Sequence, residues 1–324
     1  MKKIYLFITL FVLSITGKSQ VSSYGFNQFS GTYSAISGGT VFGNTSSDDQ
    51  YFVDPSIPLG GFTATGPGIP ICFNFVYNGT VFDVIGIQNN GWISFGNSTI
   101  TPNPVDMNTF SYYQPISQSS SAPSTLQNLV SALAHDIQGQ TGSSLRVQTL
   151  GTAPNRTCVI QFANYRRYNA TGDNLHFQIR LSETSNNVTV VYGTFTSAST
   201  GSSAEVGLRG ITNTDFNNRE VTTPNIWATS NAGTFNSDAI NYDNTLTPNS
   251  GQTYQWTPPP LCTGTPSSGI SSISTPSGCP NATFVLNATN LSSASGLAYQ
   301  WQSAPSASGP WSNITNDHLS QTSS

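Results

Sequence analysis

The chain has 324 residues, of which only 7% are charged and 11% aromatic, with a formal net charge of −4. Enough aromatic side chains are present to fill a substantial core, and charge runs are missing, which excludes a disordered polymer. The three Lys all lie early, at Lys2, Lys3 and Lys18, so the remainder sets seven Arg against 14 acids. It lacks the clustered cations that nucleic acid or an anionic membrane surface requires.

The first 19 residues read as a secretory signal. Lys2 and Lys3 give the positive start, Ile4 to Ile15 the apolar run, and Gly17 and Ser19 the small residues of a cleavage site. The run is shorter than the roughly 20 residues of a membrane span, so no membrane insertion is expected. Four Cys remain, Cys72, Cys158, Cys262 and Cys279. In an exported chain an even number favours disulfides, with three connectivities open. Proximity in the chain suggests Cys72–Cys158 and Cys262–Cys279, while Cys279 could equally await a partner further on.

From Val21 to Asp49 the text is rich in Gly and Ser with scattered aromatics, as in one or two edge strands. Asp48-Asp49 is the first acidic pair. It reads either as a calcium ligand pair or as a solvated turn, the turn being the commoner use. Pro55 to Pro70 carries too many Pro to pair as a strand and is expected to wrap.

The segment Ile71 to Gly96, ICFNFVYNGTVFDVIGIQNNGWISFG, is the centre of the fold. Ile71, Phe73, Phe75 and Tyr77 alternate with Cys72, Asn74 and Val76, the period of a strand with one face on a core. Asn78-Gly79 and Asn90-Gly91 then predict two tight turns in an antiparallel meander. A long loop follows, holding Phe110, Tyr112 and Tyr113, which either stack on a sugar ring or pin the loop.

Leu129 to Ile137, LVSALAHDI, suits a helix or a buried strand. His135-Asp136 resembles a catalytic dyad, yet no nucleophile stands in a recognisable setting, so a backbone-satisfied pair is the simpler expectation. Hairpins are predicted over Leu145–Phe162, through the turn GTAPNR, and over Leu175–Tyr192, through Asn186-Asn187. The three Glu, at Glu183, Glu205 and Glu220, give a paired-carboxylate glycosidase site no positive support. A further strand is expected at Ala204–Leu208. The stretch from Thr212 to Asn249 reads as polar loop, with Trp227 as the best single stacking platform or else a plug beneath the loop. Gln252–Trp256 closes the domain.

Pro258-Pro259-Pro260 is a stiff linker over residues 258–261. Beyond it, Phe284–Leu286 and Tyr299–Trp301 read as the second and third strands of an immunoglobulin-like sandwich. Residues 262–324 are fewer than the about 100 such a sandwich needs, so the repeat is expected to be incomplete. The predicted organisation is therefore a signal over 1–19, an all-β antiparallel, jelly-roll-like sandwich over 20–257, the linker, and this partial repeat.

The strings SSDDQY, ICFNFVYNGTVFDVIGIQNNGWISFG, GTAPNRTCVIQF, NLHFQIRLSETSNNVTVVYG and GQTYQW, with CPNATFVLNA, YQWQ and WSNI after the linker, carry a resemblance. The chain resembles the N-terminal sandwich and first immunoglobulin-like repeat of large secreted surface proteins of the Bacteroidota. The resemblance implies export by the type IX secretion system, a cell-surface location and an adhesin-like role toward glycans, matrix or other surfaces, with no catalytic residues. Beyond the calcium reading of Asp48-Asp49, no cofactor is expected. Two alternatives belong to other classes: an accessory module of a glycan-degrading enzyme, and a spacer without a ligand.

Overall fold

A computed structural model describes residues 10–11, 20–107, 113–118, 126–260, 270–273, 286–290, 300–304, 306 and 309–313. It divides into two units, Gln20–Pro258 and one formed by Met1–Ser19 with Pro259–Ser324. The described residues hold strands and two short 3-10 turns, and the strand pairs are antiparallel. Among them no helix is long and apolar enough to cross a membrane. The fold is all-β.

The larger unit holds two large sheets face to face, and a two-stranded pair of Thr65–Gly66 with Val105–Asp106. In the first, the order is Asn231–Ala232, Phe216–Glu220, Ser202–Arg209, Leu129–Ala134, Trp92–Gly96, Thr80–Gln88 and Tyr51–Phe52. Ile69–Tyr77 also pairs with Thr80–Gln88, and Ile240–Tyr242 with Ser202–Arg209. In the second, Gly25–Ser30 and Thr40–Phe42 form the two edges of a run through Gln252–Thr257, Val188–Thr196, Asn174–Ser182, Thr157–Arg167 and Ser144–Leu150. The early Gly/Ser-rich region, expected to hold one or two edge strands, holds two.

The meander forms for the reasons its sequence gives. Ile71, Phe73, Phe75 and Tyr77 are buried while Cys72 and Asn74 face outward. Asn78 and Gly79 both adopt left-handed φ values, 52° and 69°, the geometry of a turn whose twist matches the flanking strands. At the next turn Gly91 has φ 88°, and a Cβ there would meet the Leu133 carbonyl oxygen at 2.5 Å. That close approach lets the amides of Ala132 and Leu133 bond the Gly91 carbonyl.

One core lies between the sheets, where Phe75, Ile85 and Ile93 of the first meet Ile160, Phe177 and Ile179 of the second. A second apolar layer, with Val53, Ala64, Val84, Trp92, Val105, Met107, Ile116 and Leu126, covers the other face of the first sheet. This double burial explains Leu129–Ala134. It is a strand with every residue buried, so its apolar run shows no two-residue period.

Three expectations are corrected. Trp227 is not a surface platform: only 2% exposed, it packs edge-on against Tyr192 at 4.8 Å and receives the Tyr254 hydroxyl on its carbonyl at 2.6 Å. Cys72 and Cys158 are both free thiols, because strand alternation turns Cys72 outward while Cys158 points into the core. Finally, Thr212–Asn249 contains three strands. Its Asn residues replace apolar contacts with side-chain bonds to backbone, as where Asn218 Nδ2 donates to the carbonyls of Phe235 and Asp238 at 3.0 and 2.8 Å.

In the smaller unit Leu10–Phe11 pairs with Gln300–Trp301, Gln302–Ser303 with Ser312–Asn313, and Ile270–Ile273 with Leu286–Thr289. The two strands expected to be immunoglobulin-like thus lie in separate sheets. Cys262 and Cys279 lie outside the described residues.

Candidate functional site

A surface depression of about 520 Å³ opens beside the strand Leu129–Ala134. Tyr113 and Tyr168 on its wall are 46% and 49% exposed. His135, Asp136, Arg167 and Glu205 also line it. Tyr112, the other aromatic expected in this loop, lies outside the described residues.

The loop that presents Tyr113 is held by a charged clamp that sequence reasoning missed. The Glu205 carboxylate accepts from the backbone amides of Ile116 and Ser117 at 2.7 and 3.2 Å. Arg209, four residues along the same strand, donates Nη1–H to the carbonyls of Pro115 and Gln118 at 2.9 and 2.8 Å. The carboxylate takes the loop's donors and the guanidinium its acceptors, so buried backbone groups are satisfied on both sides. Burial pushes the Glu205 carboxyl up to about 7, against the opposing pull of the Ser117 and Ile116 bonds and Arg209, and burial lowers Arg209 to about 10. Two lone charges on an otherwise apolar strand, in a chain so poor in charge, were the available signal.

Arg167 and His135 are also engaged. Arg167 pairs with buried Asp173 at 2.7 Å, and Asp173 also accepts the Ala198 amide at 2.7 Å. His135 donates Nδ1–H to the Ser203 carbonyl at 2.9 Å, the tautomer its acceptor-only partner selects, and burial lowers its pKa. His135 is thus backbone-satisfied, as expected. Even so, His135, Asp136 and Glu205 do share one depression, although they lie up to 70 residues apart in the chain.

Asp136 belongs at the same time to a second constellation. One carboxylate oxygen each from Asp48, Asp49 and Asp136 lies within 4.8 Å of the others. The turn residues Asn89 and Asn90 build this arrangement. Asn89 Nδ2 donates to the carbonyls of Ser47 and Ile137 at 3.2 and 2.7 Å, and its amide to the Gln50 carbonyl at 2.9 Å. Asn90 Nδ2 donates to Asp49 Oδ1 at 2.8 Å, while Asn90 Oδ1 receives the Ile137 amide at 2.8 Å. Two segments far apart in sequence are bolted together, each carrying its acids to the same point. In the sequence the two Asn read as turn formers only.

The electrostatics of this trio are unfavourable without a cation. Burial, then Asp49 and Asp136, raise the Asp48 carboxyl to about 6, and burial with Asp49 raises Asp136. Asp48 Oδ1 and the nearby Gln50 Oε1 are buried without hydrogen-bond partners. Calcium–oxygen bonds of about 2.3–2.6 Å place ligand atoms on one ion within about 5 Å of each other, so the three acids fit a hard divalent cation.

The chain matches the family model described as NIDO related over residues 23–258. It belongs to the NIDO-related family. Domains of this family are typically extracellular modules, and the match covers the whole two-sheet unit from its first strand to its last. No curated protein and no solved structure matches the chain.

Proposed function

We propose that the chain is a secreted contact module that binds glycan or protein surfaces at the Tyr113–Tyr168 depression without catalysis, as an adhesin-like part of a cell-surface protein. The observation that carries this reading is a pair of half-exposed tyrosines over a wall on which His135, Arg167 and Glu205 are already engaged. Flat aromatic faces beside polar side chains suit a sugar ring or a peptide edge, and weak single contacts gain strength when many copies act together. Membership of an extracellular family supports secretion. The resemblance to Bacteroidota surface proteins supports export through type IX secretion and further repeats after the linker. Calcium bound by Asp48, Asp49 and Asp136 would neutralise the trio and stiffen the loop beside the depression.

The test is a glycan array and a cell-attachment assay with the full chain. Binding that is lost in Tyr113→Ala and Tyr168→Ala, with an unchanged thermal midpoint, is the expected result. Blank results from both assays would favour a ligand-free spacer.

One observation favours a second reading. A carboxyl near 7 shares the depression with His135 and Asp136, and such shifts mark general acids as well as structural groups. Against it, both Glu205 oxygens accept loop amides, which occupies the atoms that would hand a proton to a substrate. Turnover of a glycoside panel that disappears in Glu205→Gln would establish hydrolysis. The accessory-module alternative would instead be supported by a hydrolase domain encoded on the same polypeptide.

A further inference from the structure

The outer face of the second sheet bears a groove of about 520 Å³, distinct from the tyrosine depression. Its floor crosses four neighbouring strands, Thr157–Arg167, Asn174–Ser182, Val188–Thr196 and Gln252–Thr257. Each is paired on both sides, so the backbone offers a ligand no free edge and side chains must do the reading. Those side chains are mostly hydroxyls and amides, among them Asn155, Thr157, Ser182 and Gln255. Phe29 and Leu150, each 41% exposed, supply apolar surface in the same groove.

One charge lies in this groove. Arg180 is half-buried, no carboxylate lines the groove, and neither ion pair found among the described residues involves it. Burying this cation partly away from water has a cost that an anion in the groove would relieve. The side chain is also held in place. Arg180 Nε–H donates to Gln178 Oε1 at 2.8 Å and an Nη2 hydrogen to the Thr32 carbonyl at 3.2 Å. Gln178 is itself fixed, donating to the Ser34 carbonyl and to Gln161 Oε1, each at 2.8 Å. The guanidinium is therefore positioned before any ligand arrives, with Nη1 left for one, which reduces the entropy lost on binding.

We propose that this groove binds an acidic polysaccharide, with a uronate carboxylate on Arg180 and sugar hydroxyls on the surrounding Thr and Gln side chains. A guanidinium against a carboxylate gives a charge-assisted hydrogen bond, and neutral hydroxyl partners suit a polyol better than a chain of peptide amides. The site lies on a different face from the tyrosine depression and does not depend on it.

The experiment is calorimetric titration of the full chain with short oligomers of galacturonate, guluronate and glucuronate, a methyl-esterified oligogalacturonate, and a Glu-rich peptide. At least one free-acid oligomer is expected to bind, more weakly as salt is added. The esterified form and Arg180→Gln should each weaken binding roughly ten- to hundredfold, as expected for losing a hydrogen bond to a charged group. Thr157→Trp, which fills the groove and leaves the cation untouched, should abolish it. Tyr113→Ala should leave it unchanged, which separates failure of this site from failure of the depression. No binding by any uronate, equal binding of the ester, tighter binding of the peptide, or full affinity in a folded Arg180→Gln would each overturn the proposal.

Discussion

The two sheets are alike inside and opposite outside. The outer face of the first is sealed by an apolar layer around Trp92, Val105 and Met107, under loops that the Glu205–Arg209 clamp secures. The outer face of the second is crossed by the segment around residues 32–37, which hydrogen bonds hold instead. Gln161 exchanges bonds with the backbone of Ile36 at 2.8 and 3.2 Å, and Arg146 donates to the Ser37 carbonyl at 3.1 Å. An apolar seal excludes a ligand by filling space. A polar strap covers the sheet only where its bonds reach, and leaves a groove beside it. The difference teaches that a strand's outward residues fix what can lie on it as firmly as its inward residues fix the core.

The largest effect should come from breaking the apolar seal. Trp92→Ala removes a fully buried indole, and a cost of about 3–5 kcal/mol is expected from the lost transfer energy and the cavity left behind. Urea denaturation followed by tyrosine fluorescence measures it, and a loss below about 1 kcal/mol would show that the layer contributes little to the fold.

Next is the clamp that secures the seal. Glu205→Ala strips the Ile116 and Ser117 amides of their acceptor and removes the attraction between Glu205 and Arg209, for an expected loss of about 3 kcal/mol. The clamp also sets a pH dependence. The Glu205 pKa is raised in the folded state, so its contribution to stability is full below the ordinary carboxylate value of 4.5 and falls as pH rises through about 7. The thermal midpoint should decline over that window, and Glu205→Gln should flatten the decline.

A smaller effect is expected at the acidic trio. Calcium at 100 times its dissociation constant should stabilise the chain by about 2.7 kcal/mol, read as a rise in thermal midpoint that chelator reverses. Because calcium and a proton compete for Asp48, the rise should grow as pH increases through about 6. Asp48→Asn combined with Asp136→Asn should remove it, and an unchanged midpoint in chelator at pH 8 would rule the ion out.

The smallest effect tests the polar strap. Gln178→Ala frees the Ser34 carbonyl and the Arg180 side chain, for a loss of about 1 kcal/mol. Hydrogen exchange should quicken at Ile36 and its neighbours and stay unchanged in the first sheet. Faster exchange across the whole unit would show that the strap is part of the core and not an attachment to it.

The site was far less legible than the fold. Asp48-Asp49 was visible as an acidic pair, but its third member, Asp136, is 87 residues further on than Asp49, and only the Asn89–Asn90 bolts bring it in. Trp227 stayed open between a platform and a plug because a large aromatic among polar neighbours fits either, and tertiary packing decides for the plug by burying it beneath Tyr192 and Tyr254. Glu205 and Arg209 gave no pattern because a clamp on a distant loop has no local period.

By itself the sequence determined the all-β class, the inward face of each long strand and the Asn-Gly turns, since side-chain alternation and left-handed backbone propensity act over a few residues. The tertiary structure decided which outer face is sealed and which carries a groove, where the acids meet, and which cation lies in that groove. Those outcomes depend on side chains brought together from opposite ends of the chain, and no local rule of spacing contains them.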